Sequence, residues 1–139
     1  MPVTSQTIDI PTNGKGFYEI TPAVGEVLRK SGLSEGVATV FSRHTSASLV
    51  IMENADPDVL RDLQNWMERL VPEGDPHFFH NTEGDDDMPA HIKVALTRTS
   101  ESVPFSGGRL LLGTWQGVFL WEHRCVQHAR NVIVTLVGE

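Results

Sequence analysis

GVATVFSRHTSASLVIMENADPDVLRDLQNWMERL, residues 36–70, is the stretch whose reading decides the fold class. Gly36 to Phe41 is a β-branched and aromatic run, and Ser48 to Met52 is a second apolar run. Between them lies the polar segment Ser42-Arg43-His44-Thr45-Ser46, so the text reads as two strands flanking a polar bend. Asp56-Pro57 then supplies a cap and a proline suited to the first helical turn. Val59, Leu60, Leu63, Trp66, Met67 and Leu70 follow at helical spacing. Strand, bend, strand and capped helix within 35 residues point to a mixed architecture.

Working outward, residues 3–10 alternate weakly through Val3, Ile8 and Ile10 and end at Pro11 and Gly14, as a strand and turn do. Thr21-Pro22 starts a short helix with Val24, Val27 and Leu28 on one face and Gly32 as its stop. On the other side, Val71 to Asp87 is broken by Pro72, Gly74, Pro76, Gly84 and three successive aspartates, and loops this long inside a domain usually carry function. A third helix is expected to start at Pro89, with Ile92, Ala95 and Leu96 as its apolar face and His91 in its first turn. Three further strands are expected at Arg109 to Leu112, Gly117 to Trp121 and Val132 to Val137. Gly113-Thr114-Trp115-Gln116 would form a hairpin between the first two. Helices scattered among hairpin-like strands favour an α+β fold: a single domain over residues 1–139, three helices and a mostly antiparallel sheet.

The charge balance narrows the partners. A formal net charge of −7 repels a phosphodiester backbone, so nucleic acid is not expected. No run approaches the roughly 18 apolar residues of a membrane span, and the first residues lack the basic and apolar regions of a leader, as in a cytosolic chain. Cys125 is the single cysteine, so a transition-metal site would have to be built from His, Asp and Glu. Cys125 itself reads as a small buried hydrophobe, and Trp115 and Trp121 as packing residues.

Three clusters carry candidate chemistry. His80 and His91 bracket HNTEGDDDMPAH, which gathers Asn81, Glu83, Asp85, Asp86 and Asp87. Imidazole and carboxylate are the ligands that a cysteine-free zinc, manganese or iron site requires, whereas acidic residues before a helix also serve as caps; both readings stand on sequence alone. His44 sits among small hydroxyl residues in SRHTSAS, with Glu53-Asn54 beyond the next strand, and no G-x-S-x-G elbow accompanies it. In the third cluster, Trp121-Glu122-His123-Arg124 ends a strand, and His123 is the imidazole that a sheet could carry beneath the acidic loop.

Together, SRHTSASLVIMENADPDVLRDL (42–63), FHNTEGDDDMPAHIK (79–93) and GRLLLGTWQGVFLWEHR (108–124) resemble the YjbQ-like family. The resemblance implies an α+β subunit that assembles into a homotrimer, with motif residues in a pocket near a subunit contact. It also implies a secondary thiamine-phosphate synthase activity, which joins hydroxymethylpyrimidine diphosphate to thiazole phosphate and releases diphosphate. Carried onto these motifs, His44, Asn81 and Asp86 become catalytic candidates with Glu53 as a base. His80, His91 and His123 become ligands of a divalent ion such as zinc, magnesium or manganese. Lys93, Arg124, Thr114 and Gln116 become substrate contacts, the two cations offsetting diphosphate charge. A metal-dependent hydrolase and a non-catalytic binding module for a metal or small ligand are the alternative classes.

Overall fold

The computed structural model describes Met1–Glu139 as eight strands and three helices. In chain order these are β1 (Val3–Asn13), β2 (Gly16–Glu19), α1 (Thr21–Ser31), β3 (Gly36–Ser42), β4 (Ala47–Glu53), α2 (Pro57–Leu70), α3 (Asp87–Leu96), β5 (Ser100–Ser106), β6 (Arg109–Leu110), β7 (Gln116–Glu122) and β8 (Gln127–Gly138). One sheet has the order β1-β8-β3-β5-β6 and a second the order β2-β7-β4. Every strand pair is antiparallel. No helix is long and apolar enough to cross a membrane.

Alternation along the strands decides what lies on each face. In the smaller sheet Leu49 opposes Leu120, and both point to the larger sheet, where they meet Val40, Val134 and Leu136 and the α1 residues Val24, Val27 and Leu28. Val50 opposes Phe119 on the other face, and Phe17 stacks on Trp121 at 4.5 Å. That face is covered by Met67 of α2, with Leu60, Leu63 and Ile92 packed around it. The layers therefore run large sheet, small sheet, α2 and α3, with α1 completing the first core.

Several expectations are met and several are corrected. Asp56 caps α2 by accepting from the Asp58 amide at 2.9 Å, and Gly32 ends α1 at φ 73°. Strand β1 runs on to Asn13 through Pro11, which an edge strand tolerates because one side of its backbone needs no partner. Thr21 is the first helical residue and not the cap; its hydroxyl donates to Glu19 at 2.9 Å and accepts from the Val118 amide at 2.8 Å. Helix α3 starts two residues ahead of Pro89, which moves His91 beyond its first turn. The segment 113–116 is a crossover between sheets and not a hairpin, since β6 pairs with β5 while β7 pairs with β2 and β4. Polar composition and Pro104 hid β5, and brevity hid β2.

The strand directions sort the polar motifs into two groups. The ends of β1, β3 and β7, the starts of β2, β4 and β8, and the N-terminus of α3 meet at one end of the sandwich. Residues 113–116 and Glu53 lie at the opposite end of β7. Seven residues of strand separate the two ends, about 20 Å.

Candidate metal centre

His80, Asp87 and His91 present one ligand atom each, all within 4.8 Å of one another. Asp87 and His91 share a face because they stand four apart on α3, and the loop before the helix returns His80 to them. Asp87 Oδ2 lies 2.5 Å from His80 Nε2 and 3.3 Å from His91 Nε2. Asp87 itself is 3% exposed, whereas His80 is exposed and His91 half-buried, so the cluster opens to solvent on its imidazole side.

The contacts behind the cluster fix its chemistry. His91 Nδ1 stands 2.7 Å from the Thr45 carbonyl, which only accepts, so the ring donates there and its Nε2 faces the Asp87 carboxylate. With Nδ1 donating to Thr45, the Nε2 lone pair is aimed at the Asp87 carboxylate, an arrangement suited to sharing one bound cation. Two imidazoles and one carboxylate with an open side are the donor set of a catalytic zinc site. A backbone carbonyl behind one imidazole is the usual outer support of such a ligand.

Asp87 is held from behind by Arg124. All three guanidinium nitrogens are engaged: Nε with Asp86 at 3.0 Å, one terminal nitrogen with Asp87 at 2.5 Å and the other with the Glu83 carbonyl at 2.7 Å. Burial pushes the Asp86 carboxyl up, but the Cys125 amide and Arg124 outweigh it and hold its pKa at about 2. Burial also acts upward on Asp87; its hydrogen bond with His80 and the Arg124 charge bring it below the usual range.

The other expected residues divide. His44 lies at the same end, adjacent to Thr45; its Nε2 stands 3.0 Å from the Asn131 amide and 3.1 Å from the Asn131 carbonyl, and burial together with Arg130 lowers its pKa. Asn81 lines a small pocket with His80, Gly84 and Asp85. Asp86 is a buried anchor for Arg124 and Cys125. His123 does not join the cluster: it is 1% exposed, with Nε2 2.9 Å from Ser48 Oγ and Nδ1 without a partner. Burial first, then the Lys93 ammonium, push its pKa down to about 3, so the ring is neutral.

Lys93 is fully buried and bonded to Glu68 at 2.5 Å, and so it is not displayed to a ligand. Arg124 is likewise committed within the chain. Glu53 accepts from the Asp56 amide at 3.0 Å, and Gln116 from the Gly113 amide at 2.8 Å; with exposed Thr114 these residues shape turns at the far end. Trp115 is 63% exposed and Cys125 is exposed, unlike the packing roles expected of them.

Sequence reasoning passed over Asp87 as one of three aspartates, although Asp87-x-x-x-His91 is a one-face spacing once the helix start is known. It also missed Arg43, an exposed guanidinium beside His44 that donates to Asn131 at 3.1 Å. Glu122 and Ser46 fell inside polar motifs, but their pairing with Arg130 and Thr12 gave no signal, because only the fold brings the four together.

The sequence model of the family described as UPF0047 protein YjbQ-like matches residues 6–139. A UPF0047 protein of Synechocystis sp. is 57% identical over 130 residues, covering 94% of this chain and 88% of that one. The UPF0047 protein YjbQ of Escherichia coli O157:H7 is 37% identical over 135 residues, covering 96% and 97% of the two chains. A solved structure of a conserved hypothetical protein from Thermus thermophilus superposes with a TM-score of 0.85 at 35% identity, over 95% of this chain and 99% of that one.

Proposed function

The chain belongs to the UPF0047, YjbQ-like family, and from that premise we propose that it is a metal-assisted enzyme acting on a small phosphorylated substrate. The specific reaction is thiamine-phosphate synthesis: a thiazole nitrogen forms a bond to the pyrimidine methylene carbon as the carbon–oxygen bond breaks and diphosphate leaves. The observation that carries the metal reading is the forced orientation of His91, whose Nε2 faces Asp87 beside His80. These three residues would hold a divalent ion, with zinc the best match to the donor set. Such an ion would supply Lewis acidity toward the departing diphosphate.

The remaining roles fall to the chain itself. Thr45 orients His91 through its carbonyl, and Arg124 fixes the rear oxygen of Asp87 so that the front oxygen stays aimed at the imidazoles. His44 is tied through Nε2 to the backbone of Asn131, which holds its ring beside Thr45. Arg43 is the exposed cation of this region and the natural contact for a diphosphate.

A second reading, hydrolysis, is favoured by the commitment of Arg124 and Lys93 to internal carboxylates. A three-ligand site with an open position suits activation of water, which needs no diphosphate cradle.

The homotrimer belongs to the same proposal. The outer face of the large sheet is covered by no helix; Val3, Val137, Val37 and Pro104 form one cross-strand row there, and Ile133 and Phe41 sit in another, with no charged residue in either row. Such a face suits burial against neighbouring copies. A lone cysteine fits a cytoplasmic setting.

Diphosphate release from the two thiamine precursors tests the reading. Release that needs both precursors and stops on chelation supports transfer; release of phosphate or diphosphate from one precursor alone supports hydrolysis. Metal-independent or absent turnover contradicts both.

A further inference from the structure

Glu122 is fully buried and Arg130 is 6% exposed, yet they form an ion pair that bridges the two sheets. Glu122 Oε1 accepts from Arg130 Nε at 2.7 Å and from Thr12 Oγ1 at 2.6 Å. Its Oε2 accepts from a terminal nitrogen of Arg130 at 2.6 Å and from the Arg124 amide at 3.1 Å. The same terminal nitrogen of Arg130 donates to Ser46 Oγ at 2.8 Å.

Those last two contacts touch both supports of the cluster. One residue before Ser46 is Thr45, whose carbonyl sets the His91 ring. Arg124, whose amide rests on Glu122, sends its side chain to Asp86 and Asp87. A backbone bond from the His123 amide to the Ser46 carbonyl, 3.3 Å, ties the two loops to each other. A single buried pair therefore stands beneath the group that orients His91 and the group that orients Asp87.

Stability alone gives little reason for such a pair. Taking two charges out of water costs about as much as their attraction returns, and an apolar pair of similar volume is often as stable or more so. What the apolar pair lacks is direction: the guanidinium fork meets a carboxylate and a hydroxyl in fixed geometry.

We propose that Glu122 and Arg130 are positioning residues of the His80–Asp87–His91 centre, setting the aim of His91 through Ser46 and Thr45 and of Asp87 through Arg124. This rests on the metal reading above. Neither residue touches the ion or a substrate.

The test compares the wild-type chain with Arg130→Lys, which keeps the charge but not the fork, and with the double variant Glu122→Leu/Arg130→Met, which removes both charges. Three quantities are read: melting temperature, zinc affinity by competition with a chromophoric chelator, and the His91 tautomer in metal-free protein by long-range ¹H–¹⁵N NMR. The expected result is folded variants, with the double variant melting no lower than wild type. Zinc binding should weaken about 10- to 100-fold, as for loss of an outer support, and His91 should change from one tautomer, protonated at Nδ1, to a mixture. Folded variants with wild-type affinity and an unchanged tautomer overturn the proposal, as does loss of fold in both variants, which would make the pair a structural bolt. Wild-type protein that takes up no zinc removes the metal reading instead, and the tautomer comparison, which uses no metal, still decides the positioning role.

Discussion

The two ends of β7 look alike in sequence and differ in three dimensions. At each end an apolar run gives way to polar residues beside a tryptophan: Gly113-Thr114-Trp115-Gln116 before the strand, Trp121-Glu122-His123-Arg124 at its close. At the first end Thr114, Trp115 and Gln116 are all exposed, and the side-chain carbonyl oxygen of Gln116 serves a local turn. At the second, Glu122 and His123 are buried and Arg124 is bonded through every nitrogen of its side chain. Burying ionised groups is costly unless each is matched, so a matched set at one end marks where geometry is being held. Motif density alone does not distinguish the two ends; buried charges that are each paired do.

The largest difference between the two ends is expected at the cluster itself. Replacing His80 or His91 by Ala should weaken zinc binding at least about 100-fold in a chelator competition, because each removes one of three ligands. Glu53→Gln and Gln116→Ala, at the far end, should leave the affinity unchanged. A far-end variant that lost zinc as the histidine variants do would erase the distinction.

Acid is the next probe. His123 is held neutral in the fold, with a pKa of about 3, while the unfolded chain takes up a proton near pH 6.5. Its contribution is therefore complete above about pH 6.5 and is lost as pH falls toward 3, by up to roughly 5 kcal/mol. Asp86, with its pKa lowered to about 2, loses its contribution in the same direction below about pH 4. Urea unfolding of metal-free protein should show stability falling from pH 7 to pH 4, and His123→Phe should flatten the upper part of that slope. An equally steep slope in the variant would assign it elsewhere.

Arg124→Met should cost about 3–5 kcal/mol in the same urea experiment, since it leaves two buried carboxylates without their cation. The smallest effect belongs to the far end, where Thr114→Ala should fall within about 0.5 kcal/mol of wild type, as exposed substitutions do.

Much of this was readable from the chain. Asp56-Pro57, the periodicity from Val59 to Leu70 and the apolar run Val132 to Val137 are local signals, and each fell in the expected kind of element, although β8 begins five residues earlier, at Gln127. His80 and His91 were legible as partners because they bracket an acidic loop. What was not legible depends on pairing between distant segments. Nothing near Ser46 announces Arg130, 84 residues away, and nothing near Thr12 announces Glu122. The crossover at residues 113–116 misled for the same reason: a short Gly-containing link between two apolar runs fits a hairpin equally well until the strands' partners are known. His123 was expected to turn toward the acidic loop, but it packs beside Trp121 and bonds to Ser48.

The most direct measurement is the metal content of native protein by elemental mass spectrometry, taken beside His91→Ala and Glu53→Gln. About one divalent ion per chain is expected in the wild type and in Glu53→Gln, and none in His91→Ala. No stoichiometric metal in the wild type, or metal retained in full by His91→Ala, would contradict the metal reading.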